Sequence, residues 1–158
     1  MRIVALNDAL ISDVEDLMAL GEPYVRARTS SDYWLYSALF STTCPVALTD
    51  DRVVGAIIAM RSQDDPRDVY IQDVMTDPAH RGQGIAAALL QSITVQANVW
   101  QCRRIYLTSE PDNHAAAMAW HKVGFINIPG DHVVDGVQVI SNFKGRGKDR
   151  AVYELTLA

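Results

Sequence analysis

The chain has 158 residues, which fits one domain, 1–158, and excludes a multidomain machine. Apolar residues make up 49% and charged residues 21%, a balance that supports a packed core and argues against intrinsic disorder. Fourteen Lys and Arg against nineteen Asp and Glu leave a net charge of −5, so nucleic acid is not an expected partner, while a cationic substrate is compatible with the acidic chain.

Arg2 to Leu6 reads as a short strand, after which Asn7 or Asp8 caps a helix running to about Leu20. Gly21 and Pro23 stop it. A second, aromatic helix is predicted over Ser31 to Phe40, started by Ser31 or Asp32; its Tyr33, Trp34 and Tyr36 suit either the core or a pocket wall. Pro45–Thr49 and Arg52–Met60 are β-rich runs joined by Asp50-Asp51, the pattern of a hairpin. Asp68 to Thr76 carries apolar residues on both parities, as in a central strand covered on both sides. Beyond the turn Asp77 to Arg81 comes a long Ala- and Leu-rich helix ending near Trp100, followed by a strand over Arg104–Ser109. Asp112 is a candidate cap for a helix over Asn113–Val123, with Gly124 just past its end, and Phe125–Ile128 resumes as strand. The glycine-rich stretch from Pro129 to Arg150 reads as a loop or flexible hairpin before a closing strand, Ala151–Leu157. The fold class is α/β (α+β): a mixed, mostly antiparallel central sheet with a parallel centre, flanked by helices.

No window approaches the roughly 20 apolar residues of a membrane span, and MRIVALND lacks an apolar leader core, so a cytoplasmic location without a membrane partner is expected. Cys44 and Cys102 form no C-x-x-C pair, and His80, His114, His121 and His132 have no metal-ligand spacing, so no metal is expected.

The most informative stretch is Arg81-Gly82-Gln83-Gly84-Ile85-Ala86, between a strand end and the first turn of a long helix. Gly82 and Gly84 let the backbone approach a ligand, and the first helical N–H groups lack intrahelical acceptors, which together suit a pyrophosphate. Arg81 adds a charged fork. The same glycines would also serve a tight turn with no ligand at all. Gly82, Gly84 and Ala87 satisfy a dinucleotide fingerprint with Glu110 as a ribose ligand, but several residues including Pro78 separate them from the strand, and too little chain remains for a doubly wound sheet.

These residues resemble the GCN5-related N-acetyltransferase (GNAT) family, whose R/Q-x-x-G-x-G/A turn Arg81, Gly84 and Ala86 match. The segment DVMTDPAHRGQGIA is similar to the family's fourth strand and bulged exit, and NHAAAMAWHKVGF to its N-x-x-A-x-x-x-Y-x-x-x-G-F signature. The resemblance implies splayed parallel central strands, acetyl-CoA as co-substrate, and direct acetyl transfer in a ternary complex to a primary amine, such as that of a small cationic molecule. An acyl-CoA-binding sensor without chemistry and a protein N-acetyltransferase are the alternatives, and a homodimer is compatible with the family. By position, Val74, Met75 and Thr76 would pair with the pantetheine arm. Arg81, Gly82, Gln83, Gly84, Ile85 and Ala86 would cradle the phosphates, and Asn113 would contact the cofactor. Trp120 stands where many members have a tyrosine that protonates the thiolate, and indole is a very poor acid.

Asp73 and Glu110, near the ends of central strands, are the candidate catalytic carboxylates, since burial in a cleft raises a carboxylate's pKa toward use as a base. Asp73 shares parity with Val69 and Ile71 and so interrupts an apolar face, as either an acceptor-binding group or a satisfied structural carboxylate. Gln72, where some relatives carry a glutamate, cannot take a proton. The basic run Lys144, Arg146, Lys148 and Arg150 suits either the cofactor's 3′-phosphate or a solvated loop.

Overall fold

The computed structural model describes residues 1–157. One seven-stranded sheet organises the chain, in the order β1-β2-β3-β4-β5-β9-β6. Its strands are β1 (Arg2–Ala5), β2 (Pro45–Thr49), β3 (Arg52–Arg61), β4 (Asp68–Thr76), β5 (Arg104–Ser109), β6 (Ile126–Asn127) and β9 (Ala151–Thr156). Every neighbouring pair is antiparallel except β4 and β5, so the expected parallel centre is present. This order, with a single parallel pair, is not a doubly wound sheet, which removes the dinucleotide reading.

Two apolar cores lie on opposite faces of the sheet. On one, α1 (Ile11–Ala19) supplies Val14, Leu17 and Met18, and α2 (Ser30–Leu39) supplies Tyr33, packed on Ala56 and Ile58 of β3 and Met75 of β4. On the other, α3 (Ile85–Val99) buries Ile85, Leu89 and Ile93 against Ile57, Val69, Ile71 and Leu107, with Ala117 and Trp120 of α4 (His114–Lys122) beside them. Each fully buried aliphatic side chain contributes about 1.5–3 kcal/mol. No helix among the described residues is long and apolar enough to cross a membrane.

The hairpin β2–β3 turns at Asp50 and Asp51, whose positive φ values of 50° and 60° match a two-residue turn of the primed type. α2 starts one residue earlier than predicted because Thr29, not Ser31 or Asp32, is its cap: the Thr29 hydroxyl accepts from Asp32 N–H while the Asp32 carboxylate accepts from Thr29 N–H. The first helix is split, with a 3-10 turn at Asp8–Leu10 capped by Asn7. Asn113, not Asp112, caps α4. Phe125 leaves the ladder to become core, at 1% exposure, so β6 is shorter than predicted. The Gly-rich segment contains a hairpin, β7 (His132–Val134) and β8 (Val137–Val139), turning at Asp135-Gly136.

Candidate active site

β4 and β5 run side by side only from Asp68↔Arg104 to Ile71↔Leu107. Beyond that pair they part. β4 continues to Thr76, held on its other edge by β3 through Gly55↔Thr76, and β5 continues to Ser109, held by β9. The β4 edge from Gln72 to Thr76 therefore presents main-chain groups with no strand beside them. A cleft of about 660 Å³ occupies the opening, lined by both strand ends, the Pro23–Arg28 segment before α2, Asn113, Ala116 and Trp120 at α4, and Lys144, Lys148 and Arg150 before β9.

The parting begins at a bulge. Ile58 faces Asp73, but Ala59 faces Ile71, so Gln72 is an extra residue in β4. An extra residue reverses the alternation of every side chain after it. Val69 and Ile71 point toward α3, whereas Met75 joins the core under α1 and α2, and Asp73, opposite Ile58, goes with it. The shared parity of Asp73 with Val69 and Ile71 thus does not mean a shared face, and the carboxylate interrupts no apolar face on the α3 side.

Asp73 is 8% exposed and accepts from Arg28 Nε at 2.9 Å. Burial pushes its carboxyl above the usual range, with the Arg28 contact, and more weakly Lys144, opposing. Arg28 is itself placed by Tyr33, a fully buried residue whose phenol oxygen accepts the Arg28 main-chain N–H at 3.0 Å. Tyr33 is thus core, Trp34 is exposed at 55%, and none of Tyr33, Trp34 and Tyr36 lines the cleft. Lys144 Nζ lies 3.5 Å from Gln72 Oε1 and 5.6 Å from the centre of the Tyr70 ring.

Of the residues singled out in the sequence, Asp73, Val74, Glu110 and Asn113 line the cleft together. Met75 does not, because its side chain is 5% exposed in the core under α1, and Thr76 also lies outside the lining. Asn113 Oδ1 accepts from Ala116 N–H at 3.1 Å, which leaves the Nδ2 donors free for a ligand. Arg81 to Ala86 form a separate turn into α3 rather than a wall of the cleft. In it Gly82 and Gly84 adopt φ of 79° and 77°, and a Cβ on either would meet nothing within 4 Å. The first helical hydrogen bond there runs from Ala88 N–H to the Gly84 carbonyl, so the preceding N–H groups face outward unpaired. Ile85 is 3% exposed, and its side chain belongs to the core. The residues present fit a thioester carrier: an open cradle for a diphosphate at the α3 start and an unpaired strand edge for an extended amide arm.

Neither cysteine lines the cleft; burial pushes the Cys44 thiol up to about 12. Among the described residues no group of three or more His, Cys, Asp or Glu could hold a metal ion.

A model of the acetyltransferase (GNAT) family matches residues 12–125. The chain belongs to that family. An L-2,4-diaminobutyric acid acetyltransferase of Nocardia farcinica is 31% identical over 88 residues, 56% of this chain and 46% of the relative. The chain spans about half the length of the curated relatives it matches. Among solved structures, diaminobutyrate acetyltransferase EctA from Paenibacillus lautus, in complex with L-2,4-diaminobutyric acid and coenzyme A, superposes with a TM-score of 0.74 at 21% identity, covering 98% of this chain and 93% of that one. Arabidopsis thaliana Naa50, bound to a bisubstrate analogue, gives 0.76 at 21% identity, covering 99% and 98%. These likenesses establish the GNAT fold.

Within that fold, this chain's Trp120 packs edge-on against Phe125, ring centres 5.3 Å apart, while lining the cleft. Sequence reasoning missed Arg28, and it weighed Lys144 only for the cofactor's 3′-phosphate or a solvated loop, not as a neighbour of Gln72 and Asp73. The contact of Arg28 with Asp73 spans 45 residues, and that of Lys144 with Gln72 spans 72, so no local spacing signals either. The one available hint was the basic run that includes Lys144.

Proposed function

We propose that the chain is an acetyl-CoA-dependent N-acetyltransferase that moves an acetyl group to a primary amine of a small molecule by direct transfer within a ternary complex. The observation that carries this reading is the parting of β4 from β5 after Ile71↔Leu107, which leaves a strand edge unpaired beside the cleft. The names of the curated relatives, all acetyltransferases of a small amino acid, support it, as does the coenzyme A in the Paenibacillus lautus complex.

On this reading the diphosphate rests on the N–H groups of Arg81 to Ala86, with Gly82, Gln83, Gly84 and Ile85 contributing main chain only. The pantetheine amides pair with the free edge at Val74, Met75 and Thr76, and Asn113 donates through Nδ2. The Val74 N–H meets the thioester oxygen and stabilises the charge that develops on it. Glu110, on the opposite wall, takes a proton from the ammonium through water. The amine nitrogen then bonds to the carbonyl carbon, the C–S bond breaks with its electron pair on sulfur, and the nitrogen's remaining excess proton passes to water as water protonates the thiolate, leaving a neutral amide and a thiol. A thiol pKa near about 8.5 makes this leaving group tolerable without an acid at Trp120. Holding amine and thioester in attacking geometry supplies most of the acceleration. The reading includes a cytoplasmic location.

The test is calorimetric titration with acetyl-CoA, followed by thiol release with a panel of primary amines. Saturable binding and amine-dependent release are expected; absence of both would overturn the reading.

A further inference from the structure

The chain carries a net charge of −5, yet its cleft is lined by five basic side chains and two acidic ones. One acid, Asp73, is already engaged by Arg28, and that bond uses only Nε of the guanidinium. The terminal nitrogens of Arg28 have no hydrogen-bond acceptor among the described residues. Lys144, Lys148 and Arg150 have no carboxylate within ion-pair distance among those residues. A cleft with unpaired cationic donors favours an anionic ligand.

The placement of these donors separates them from the phosphate cradle. Arg28 meets Asp73 on the sheet face covered by α1 and α2. Lys144 reaches the same face, because the Tyr70 ring beneath it stands opposite Met60, which packs with the α1 and α2 core. Both also act on the Asp73 carboxyl. The glycine turn opens α3, on the other face of the sheet. Two anion sites on opposite sides of one strand suit two different molecules.

We propose that Arg28 and Lys144 form a carboxylate-binding subsite, so that the acceptor is an amine that also bears a carboxylate, an amino acid rather than a simple polyamine. The inference rests on the acetyl-transfer reading and specifies its second substrate. Arg28 presents its fork and Lys144 a point charge, while the amine end of the acceptor extends toward Val74 and Glu110. Asp73 is then a positioning residue: it orients the Arg28 guanidinium rather than touching the amine.

The experiment compares initial rates with acetyl-CoA for acceptor pairs that differ only in the carboxylate: 2,4-diaminobutyrate against 1,3-diaminopropane, and ornithine against putrescine. The amino acids are expected to have at least about tenfold higher kcat/KM, the size of one lost charge-assisted hydrogen bond. Lys144→Gln should raise KM for the amino acids about tenfold, leaving the diamines and acetyl-CoA unchanged. Arg28→Lys, which keeps a charge against Asp73 but removes the fork, should lower the preference in the same direction, with folding checked by circular dichroism. Equal use of both members of each pair overturns the inference alone, as does an equal effect of Lys144→Gln on both. If that variant instead raises KM for acetyl-CoA but not for 3′-dephospho-acetyl-CoA, the anion is the cofactor phosphate and the inference fails. If no amine releases thiol and acetyl-CoA gives no heat, the acetyltransferase reading itself fails, and this one with it.

Discussion

Arg28 and Asp73 meet at 2.9 Å across the mouth of the cleft, joining the loop before α2 to the strand where the sheet opens. Because burial raises the Asp73 carboxyl in the folded protein, its contribution to stability is full below the ordinary carboxylate pKa and is lost as pH rises through the raised value. Asp73→Asn should remove that dependence and free the Arg28 side chain, with a stability change of roughly 1–3 kcal/mol in denaturant titrations. Acetyl-CoA affinity should not change; a weaker acetyl-CoA titration would place Asp73 in the cofactor site instead.

Asp68 behaves in the opposite sense. Its carboxylate, 5% exposed, takes two bonds from Arg103 and one from Arg104, and hydrogen bonding to Arg103 above all holds it below the usual range. Its contribution is therefore present above the ordinary carboxylate pKa and lost as pH falls through the depressed one. Asp68→Asn should cost roughly 1–2 kcal/mol, discounted for the exposed Arg103, and flatten the acid limb of the unfolding curve. An unchanged acid limb would count against this assignment.

Gly84→Trp should cut acetyl-CoA affinity by at least about tenfold, since the side chain would fill the open cradle. The left-handed backbone, φ 77°, adds a strain of about 1–2 kcal/mol. Gly55→Ala is the contrasting variant: its Cβ would come 2.6 Å from Ile85 Cγ2, so it should destabilise by about 1–3 kcal/mol through overpacking. Isothermal titration and melting curves on both variants separate loss of site from loss of fold.

Glu110→Gln should lower kcat by about a hundredfold or more with acetyl-CoA binding unchanged, the signature of a lost general base. Trp120→Phe should keep kcat within about twofold, because indole delivers no proton to the leaving thiolate. A tenfold or larger fall in the second variant would mean that the indole N–H takes part.

The strands that frame the site were legible residue by residue: Asp68–Thr76 and Arg104–Ser109 both have the predicted ends. Each is a short β-rich run between turn residues, and local composition suffices for that. The glycine turn was legible because positive φ and close approach select glycine. The direction of Asp73 was not, since a bulge at Gln72 is set by pairing with β3, a partner outside any local window. Apolar residues on both parities of β4 carried the trace of it, but the same pattern suits an unbulged strand covered on both faces. The α4 cap slipped by one residue because Asp112 and Asn113 are both good caps, and only the bond to Ala116 distinguishes them.

One inserted amide at Gln72 lets a single strand serve two clients: upstream of it the odd-numbered side chains belong to α3, downstream to the helices across the sheet. A regular ladder at the same chain length, with Gln72 paired to Ile58 and Asp73 to Ile57, would swing the Asp73 carboxylate beneath α3 and strip Arg28 of its counterion. Pairing register at this point thus decides which core the carboxylate enters, and exchange of the Gln72 side chain alone should leave Asp73 in place.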